Sequence, residues 1–264
     1  MPRIRVGFQC QPQHATYAQM REAWLRAEDL GVDVLFNWDH FHPLYGERDG
    51  RHLECWTLLG AMAEVTSRCE IGALVTCNSY RNPDLLADMA RTVDNISGGR
   101  LVLGIGAGWF QRDYDEYGYE FGDAPGRLRD LRHGLSRIER RMSKLNPQPE
   151  RRIPVLIGGG GERVTLRLTA RHADIWHGFG DPARIRHKCD VLDGWCREIG
   201  RDPSEIERSA SVGDAELAAR ADEYVEVGAT FLVANATGPD YDMSNLRRLI
   251  SWRDQRRGRS EDAA

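Results

Sequence analysis

Residues 4–36, IRVGFQCQPQHATYAQMREAWLRAEDLGVDVLF, contain a strand, a helix and a second strand in direct succession. Residues 4–8 form a short apolar run that is typical of a strand, and Gly31 stands where a glycine commonly ends a helix. Residues 32–36 carry almost no polar side chain, as in a buried parallel strand. The apolar residues between the strands recur at the spacing of one helix face: Tyr17, Met20, Trp24, Ala27 and Leu30.

The same unit recurs along the rest of the chain. Further strands are predicted over residues 71–76, 101–105, 153–157, 173–176, 206–212 and 229–234. Helices are predicted over residues 53–67, 83–96, 128–145, 164–171, 182–199, 215–227 and 243–252. This alternation favours a single (β/α)8 TIM barrel of parallel strands with short insertions over an open sheet. We assign residues 1–252 to one barrel domain and expect the arginine-rich residues 253–264 to be a disordered tail.

Composition restricts the class of partner. A chain of 264 residues with 41% hydrophobic composition is long enough to bury one sizeable core. The net charge of -4 argues against nucleic acid as a partner, because a surface that follows phosphates needs an excess of clustered Lys and Arg. We therefore expect a small-molecule substrate.

The cysteines and the apolar runs indicate the compartment. The 6 cysteines form no CxxC pair and no compact spacing of a disulfide framework, so we expect reduced thiols. The sequence has neither a basic segment followed by an apolar signal core nor an apolar run long enough to span a bilayer. These features predict a cytoplasmic protein with no membrane partner.

Catalytic candidates follow from the barrel, because active sites of this fold lie at the carboxyl ends of the strands. Asp39 and His40 come directly after the second strand and supply a carboxylate beside an imidazole, which can act as acid or base near neutral pH. A structural pair that holds the loop in place is the alternative interpretation. Thr76, Cys77 and Asn78 follow the third strand, and His177 follows the sixth.

Two glycine-rich segments also follow strands. Gly158, Gly159, Gly160 and Gly161 lie between a strand and a helix, where free backbone N–H groups and the helix dipole favour a phosphate. Their alternative role is a tight turn without a ligand. The segment GIGAGW at residues 104–109 resembles a dinucleotide fingerprint but lacks the acidic residue of a Rossmann fold. Its glycines either let a flat ring lie against the strand end or serve only the turn.

A metal site is the rival hypothesis. His40, His42 and His177 together have the ligand types of a zinc-dependent barrel hydrolase. Three histidine ligands would leave both glycine-rich segments without a role. We therefore expect no metal.

Several segments carry a family resemblance. They are NWDH at residues 37–40, IGALVT at 71–76, YRNP at 80–83, SGGRL at 97–101, GIGAGW at 104–109, IPVLIGGGG at 153–161 and ADIW at 173–176. Over residues 4–235 the chain is similar to the luciferase-like monooxygenase superfamily, and within it to the F420-dependent oxidoreductase branch. The resemblance implies a barrel enzyme, coenzyme F420 and a homodimer.

The resemblance also implies roles for individual residues. Asp39 and His40 would be the catalytic pair facing the deazaflavin ring, with His40 as proton acceptor or electrostatic stabiliser. The bond between Leu74 and Val75, before Thr76, corresponds to a place where the family often has a non-proline cis peptide under the ring. The remaining cofactor-binding residues implied are Gly106, Ala107, Gly108 and Trp109 at the ring edge, and Gly158, Gly159, Gly160, Gly161 and Glu162 at the phosphate.

The chain departs from the family pattern at two places that bear on substrate. Trp109 stands where the sugar-phosphate dehydrogenases of this branch resemble one another in having a glutamate acid, so we do not expect that substrate class. Residues 143–152 are short where relatives often carry a longer insertion over the site. The substrate lid is then either small or contributed by another subunit.

The choice of coenzyme decides the reaction, because the protein orients a flavin-type ring whose own chemistry does the work. F420 carries hydride, so the sequence predicts an oxidoreductase that transfers a hydride between F420 and a small organic substrate. The alternative is FMN, which would make the protein an oxygen-inserting monooxygenase with a separate reductase. A metal-dependent hydrolase and a barrel that binds coenzyme without catalysis are further alternatives.

Overall fold

Parallel strands close into a barrel in the computed structural model, which describes residues 3–261 and, among them, the side chains of residues 3–258. The strand order is β3-β2-β1-β9-β8-β7-β6-β5-β4, and β3 also pairs with β5 to close the ring. The strands are β1 Arg5–Gln11, β2 Val34–Asn37, β3 Glu70–Ala73, β4 Thr76–Cys77, β5 Leu101–Gly106, β6 Val155–Gly158, β7 Ile175–Gly178, β8 Glu207–Ser211 and β9 Phe231–Thr237. Because β4 only continues β3, the molecule has the predicted (β/α)8 barrel and one extra short strand.

Helices connect the strands on the outside of the barrel. They are α1 Tyr17–Asp29, α2 Cys55–Val65, α3 Pro83–Ile96, α4 Gln111–Tyr117, α5 Ala124–Met142, α6 Thr165–His172, α7 Pro182–Glu198, α8 Ala215–Ala219, α9 Ala221–Glu226 and α10 Ser244–Glu261. Asn82 caps α3 by accepting a hydrogen bond from the N–H of Asp84, and Pro83 takes the first helical position as predicted. Within residues 3–261 no helix is long and apolar enough to cross a membrane.

Side chains alternate between the inside and the outside of the barrel along each strand. Leu156, Ile175 and Val233 belong to the small apolar cluster inside the barrel, whereas their strand neighbours belong to the large cluster beneath the helices. The residues two positions further along each strand therefore also point inward, closer to the carboxyl end. They are Gly158, His177 and Asn235.

The structure differs from the sequence-based expectation at three places. The predicted strand over residues 71–76 is interrupted at Leu74 and Val75, whose peptide bond is cis. Helix α4 was not predicted, because its sequence QRDYDEY has no apolar periodicity.

The third difference is the C-terminal end, where α10 continues to Glu261 in place of a disordered tail from residue 253. Arg253 is only 4% exposed and donates hydrogen bonds to the carbonyl oxygen of Gly31, at 2.9 Å, and to Asp33, at 2.6 Å. This buried ion pair ties the helix to the barrel. Residues 262–264 of the expected tail lie outside the described residues.

Candidate active site

A cavity of about 590 Å³ opens at the carboxyl ends of the strands, a volume in the usual range for small-molecule sites. Most of the predicted site residues line it: Asp39, His40, Leu74, Val75, Thr76, Gly106, Ala107, Gly108, Trp109, Gly158 and Gly159. Gly160, Gly161 and Glu162 lie beyond it, toward α6. The 6 cysteines are free and buried, and Cys77 is the one that lines the cavity.

One side of the cavity, which we call the glycine wall, is formed by Val75 in the β3–β4 interruption, Gly106 at the end of β5 and Gly158 at the end of β6. A Cβ atom at Gly106 would lie 2.9 Å from Cγ2 of Val75, and a Cβ atom at Gly158 would lie 3.0 Å from Cγ1 of the same residue. The distance at Gly106 is shorter than real Cβ contacts allow and the distance at Gly158 is at the limit, so a larger side chain at either position would require Val75 to move. Because Gly106 and Gly158 have no side chains, this side of the cavity leaves room for a planar ring such as that of F420 or FMN.

At position 108 a glycine is required for a different structural reason. Its φ angle is +82°, which favours glycine, and a Cβ atom there would overlap the hydroxyl of Tyr114. The Gly108 carbonyl accepts a hydrogen bond from Nε of Arg127 at 3.1 Å. The next residue, Trp109, is 63% exposed at the cavity mouth, with its ring edge-on to His40 at 5.8 Å between centroids.

His40 pairs with a carboxylate that the sequence analysis did not identify. Its Nδ1 lies 2.7 Å from Oδ2 of Asp113, which is fully buried on α4. The same carboxylate accepts hydrogen bonds from the backbone N–H of Phe41 at 3.2 Å and the hydroxyl of Tyr80 at 3.0 Å, and lies 3.1 Å from Nδ1 of His42. Asp113 therefore holds the loop after β2 as well as the imidazole.

The charge of Asp113 determines which nitrogen of His40 is free. Burial alone would raise the pKa of Asp113, but its hydrogen bonds and charge interactions with His40 and His42, and its bond from Phe41, lower that pKa below its ordinary value. Asp113 is thus a carboxylate at neutral pH and an acceptor for the Nδ1–H of His40. With this tautomer, Nε2 of His40 carries the lone pair that can take a proton.

Asp39 is not paired with the neighbouring His40. Its two carboxylate oxygens accept hydrogen bonds from Arg81 at 2.6 and 3.1 Å, and the backbone N–H of Cys77 donates to it at 3.0 Å. Arg81 in turn bonds Glu54 at 2.6 Å. Asp39 lines the cavity but is 1% exposed and tied to this ion pair, so the geometry places it as a support of the cavity floor.

The second glycine-rich segment leads from β6 to α6. Gly159 has a φ of +124° and donates its N–H to the carbonyl of His177 at 3.1 Å, while α6 begins at Thr165 and its N-cap residue, Val164, provides no side-chain cap. Lys188 of α7 reaches this segment, with Cε 3.5 Å from where a Cβ atom of Gly160 would lie. A cation and an uncapped helix start are the groups that bind a phosphate.

Glu162 contributes less than the resemblance implied. Its carboxylate accepts hydrogen bonds from Lys188 at 2.5 Å and lies 2.9 Å from Nε2 of His187. The side chain is thus paired within the protein, and only its backbone N–H remains as a group for a phosphate. Lys188 was missed because nothing in the sequence shows which residues of α7 face a loop some 27 residues earlier.

The three histidines of the metal hypothesis do not converge. His40 and His42 both turn to Asp113, whereas Nδ1 of His177 lies 2.8 Å from Oγ of Ser209 on β8. Throughout the described part of the chain, no group of three or more His, Cys, Asp and Glu side chains is placed to hold a metal ion. The geometry gives the hydrolase alternative no support.

His177 gives a pH-dependent stability that can be measured. Burial lowers the pKa of this side chain to about 3, well below the roughly 6.5 of an exposed histidine. As the pH falls below about 6.5, the unfolded chain binds a proton that the folded chain does not, so stability decreases until the pH reaches the folded pKa. Between about pH 7 and about pH 5 we expect His177 alone to remove about 2 kcal/mol from the free energy of unfolding.

Urea unfolding of the wild type and of His177→Gln at these two pH values measures that contribution. We expect the loss on acidification to be smaller in the variant by about 2 kcal/mol, whatever the variant's stability at neutral pH. An equal loss in both proteins would contradict the burial of a neutral imidazole.

Comparison with known proteins finds sequence similarity to an F420-dependent enzyme. The F420-dependent glucose-6-phosphate dehydrogenase of Amycolatopsis mediterranei (strain U-32) is 28% identical over 190 residues, which cover 65% of this chain and 56% of that protein. This chain thus spans little more than half the length of that relative.

Two solved structures share the fold. An F420-dependent secondary alcohol dehydrogenase in complex with an F420-acetone adduct has a TM-score of 0.81 at 16% identity and covers 96% of this chain and 98% of its own. The oxygenating constituent of 3,6-diketocamphane monooxygenase from Pseudomonas putida, a type II Baeyer-Villiger monooxygenase in complex with FMN, has a TM-score of 0.73 at 13% identity and covers 94% and 96%.

The sequence profile of one family matches nearly the whole chain, over residues 4–263. This match includes the loop of His40, the glycine wall and the glycine-rich segment before α6. The chain belongs to the luciferase-like monooxygenase family.

Proposed function

We propose that this protein is a coenzyme F420-dependent oxidoreductase that transfers a hydride between the deazaflavin and a small organic substrate. The observation that carries the proposal is the pairing of His40 with buried Asp113 at 2.7 Å, beside a cavity lined by the glycine wall. Nδ1 of His40 is held by the carboxylate, so Nε2 is the nitrogen available to a molecule in the cavity. The F420-dependent relative described above supports F420 over FMN.

The residues that would hold the coenzyme belong to the two glycine-rich segments. When bound, F420 supplies the carbon that accepts or donates a hydride. The glycine wall of Val75, Gly106 and Gly158 leaves space for the flat ring, and Trp109 covers the mouth beside it. The backbone N–H groups before α6 and the ammonium of Lys188 offer donors to the phosphate.

His40 accepts or donates the proton that accompanies the hydride. When an alcohol is oxidised, a hydride leaves the substrate carbon and a proton leaves the hydroxyl oxygen. His40 accepts this proton at Nε2, and the Asp113 carboxylate stabilises the imidazolium through Nδ1. In the reverse direction the same nitrogen returns the proton to the carbonyl oxygen.

A coenzyme assay tests the proposal. Oxidised F420 is mixed with the protein and a panel of alcohols, and reduced F420 with ketones and aldehydes, while the visible absorbance of the coenzyme is followed. Absorbance changes that depend on the protein and on substrate support hydride transfer. Saturable binding of F420 without turnover of any panel member would contradict it and favour a barrel that binds coenzyme without catalysis.

The phosphate position gives a prediction about Lys188. Replacing Lys188 by Met removes a charge-assisted hydrogen bond, so we expect the affinity for F420 to fall roughly ten- to hundredfold. Added salt should weaken F420 binding less in Lys188→Met than in the wild type, because the variant lacks this charged contact. Glu162→Gln is the matched variant: it frees Lys188 from its ion pair, and we expect F420 affinity to stay equal or to rise.

Fluorescence titrations of both variants at low and high salt make this comparison. The assignment of the phosphate to this loop is contradicted if Lys188→Met binds F420 as tightly as the wild type, or if Glu162→Gln loses affinity.

A further inference from the structure

The part of the cavity wall that continues around the barrel from the glycine wall, beginning with His177 beside Gly158, is polar. Strands β7, β8, β9 and β1 form this side of the barrel, next to one another in the strand order. Their inward-facing side chains near the carboxyl ends line the cavity, and we call them the polar wall: Gln9, Gln11, His177, Ser211 and Asn235. The mechanism described above uses none of them, so this half of the cavity has no assigned role.

His177 is the member of this wall with an unsatisfied polar atom. The side chain points into the barrel, is 1% exposed and lines the cavity. Its Nδ1 is held by Oγ of Ser209 at 2.8 Å, but Nε2 has no hydrogen-bond partner among the described residues. A buried polar atom left without a partner costs stability, and native proteins usually place a ligand or water there.

Because of Ser209, Nε2 of His177 can either donate or accept a hydrogen bond. A serine hydroxyl both donates and accepts, so it can serve Nδ1 of His177 in either tautomer. When the hydroxyl donates to Nδ1, Nε2 carries a hydrogen, and when it accepts from Nδ1, Nε2 carries a lone pair. His177 can therefore bond a carbonyl oxygen or a hydroxyl group.

The charges of the residues that line the cavity do not favour an anionic substrate. None of its described lining residues is Lys or Arg, and Asp39, the carboxylate among them, is already paired with Arg81. Burial keeps His177 uncharged by lowering its pKa to about 3. A phosphate ester in this half of the cavity would lose its hydration without gaining a cation, which is costly.

We propose, on the basis of the oxidoreductase function proposed above, that the substrate is uncharged and carries two oxygen groups. One is the hydroxyl or carbonyl group that reacts beside His40. The other is a hydroxyl or carbonyl group that hydrogen-bonds to Nε2 of His177. Phe179 and Val233, which also line this side, contact the carbon skeleton between the two groups.

Ligand binding to the protein loaded with oxidised F420 tests this assignment, because ketones bind there without turnover. Isothermal titration compares 1,4-cyclohexanedione and 4-hydroxy-4-methylcyclohexanone, whose tertiary alcohol has no hydride to transfer, with cyclohexanone, which lacks the second oxygen, and with cyclohexyl phosphate. One additional neutral hydrogen bond should make the two-oxygen ligands bind roughly three- to tenfold more tightly than cyclohexanone. Cyclohexyl phosphate should bind more weakly than all three.

Variants at His177 attribute the preference to this residue. His177→Ala and His177→Phe should bind the one-oxygen and two-oxygen ligands equally, and the similar ring size of Phe controls for the space left by Ala. His177→Gln, which keeps a donor and an acceptor, should retain part of the preference. Unchanged affinity for F420 in each variant shows that the fold and the coenzyme site are intact.

The outcomes separate this inference from the proposed function. The inference is overturned if the two-oxygen ligands have no advantage, if their advantage persists in both His177→Ala and His177→Phe, or if cyclohexyl phosphate binds as tightly as the ketones. Failure of every ketone to bind the F420-loaded protein overturns it as well. Failure of the wild type to bind F420 at all would instead contradict the proposed function.

Discussion

Replacing His40 by Ala is expected to lower the rate of hydride transfer by roughly a hundred- to ten-thousandfold, the usual contribution of a general base or acid. The affinity for F420 should remain within about threefold of the wild type, since the proposed coenzyme contacts lie on the glycine wall and the loop before α6. The reason is the geometry of the imidazole: Asp113 holds Nδ1, and Nε2 serves the substrate oxygen. Single-turnover rates and F420 titrations measure the two quantities separately.

Two variants around His40 serve as controls. Asp113→Asn should lower kcat by roughly ten- to hundredfold with little change in KM, and Asp113→Glu should restore part of the loss, as expected of a positioning residue. His42→Gln should keep most of the activity, because His42 contacts Asp113 but does not line the cavity. A His40→Ala variant as fast as the wild type would remove His40 from the mechanism.

The second large effect is expected at the glycine wall. Gly158→Val places a branched side chain where even a Cβ atom would lie 3.0 Å from Val75, so it either displaces Val75 or stands in the space for the ring. Overpacking of this kind costs about 1–3 kcal/mol, and we expect F420 affinity to fall by roughly ten- to hundredfold or more. Fluorescence titration with F420 measures this loss.

The matched control uses a glycine at which an added side chain would meet no other atom. Gly194, on the exposed side of α7, has no atom within 4 Å of a Cβ position, so Gly194→Ala should leave F420 affinity unchanged and stabilise the fold by about 0.5–1 kcal/mol. If Gly158→Val loses stability, the double variant Val75→Ala, Gly158→Ala removes the clash and still adds a side chain to the wall. Wild-type F420 affinity in folded Gly158→Val would contradict the placement of the ring.

The barrel was predictable because most of its units have a clear local pattern, the strand over residues 206–212 being the weakest. Residues 4–36 alone contain the strand, the helix face and the glycine that ends the helix, and the structure places β1, α1 and β2 over residues 5–37. The rule that active sites lie after the strands then placed His40, Gly106 and Gly158 on one cavity. Both results depend on periodicity and chain order, which a sequence contains.

The rest of the site depends on contacts between distant segments. Asp113 lies 73 positions from His40, on a short helix whose polar sequence gives no apolar pattern. A buried aspartate and an exposed one look alike in such a segment. The pairing of Asp39 was misjudged for a related reason: adjacency in sequence suggested His40, but successive residues at a strand end point to different sides, and Arg81 was the closer partner.

The composition of the C-terminal segment did not predict its structure. Residues 253–264 are rich in Arg, which favoured a tail, yet Arg253 is anchored by Asp33 and the carbonyl of Gly31. Buried arginines with several acceptors stabilise a helix that hydrophobic periodicity does not reveal.

The central claim is that the glycine wall and the loop before α6 hold F420. A parallel fluorescence titration of the protein with oxidised F420 and with FMN, at equal concentrations and low salt, tests it most directly. We predict saturable binding of F420, at least tenfold tighter than that of FMN, and loss of this binding in Gly158→Val. A preference for FMN would contradict the claim and indicate an oxygen-using monooxygenase, and binding of neither coenzyme would contradict the site itself.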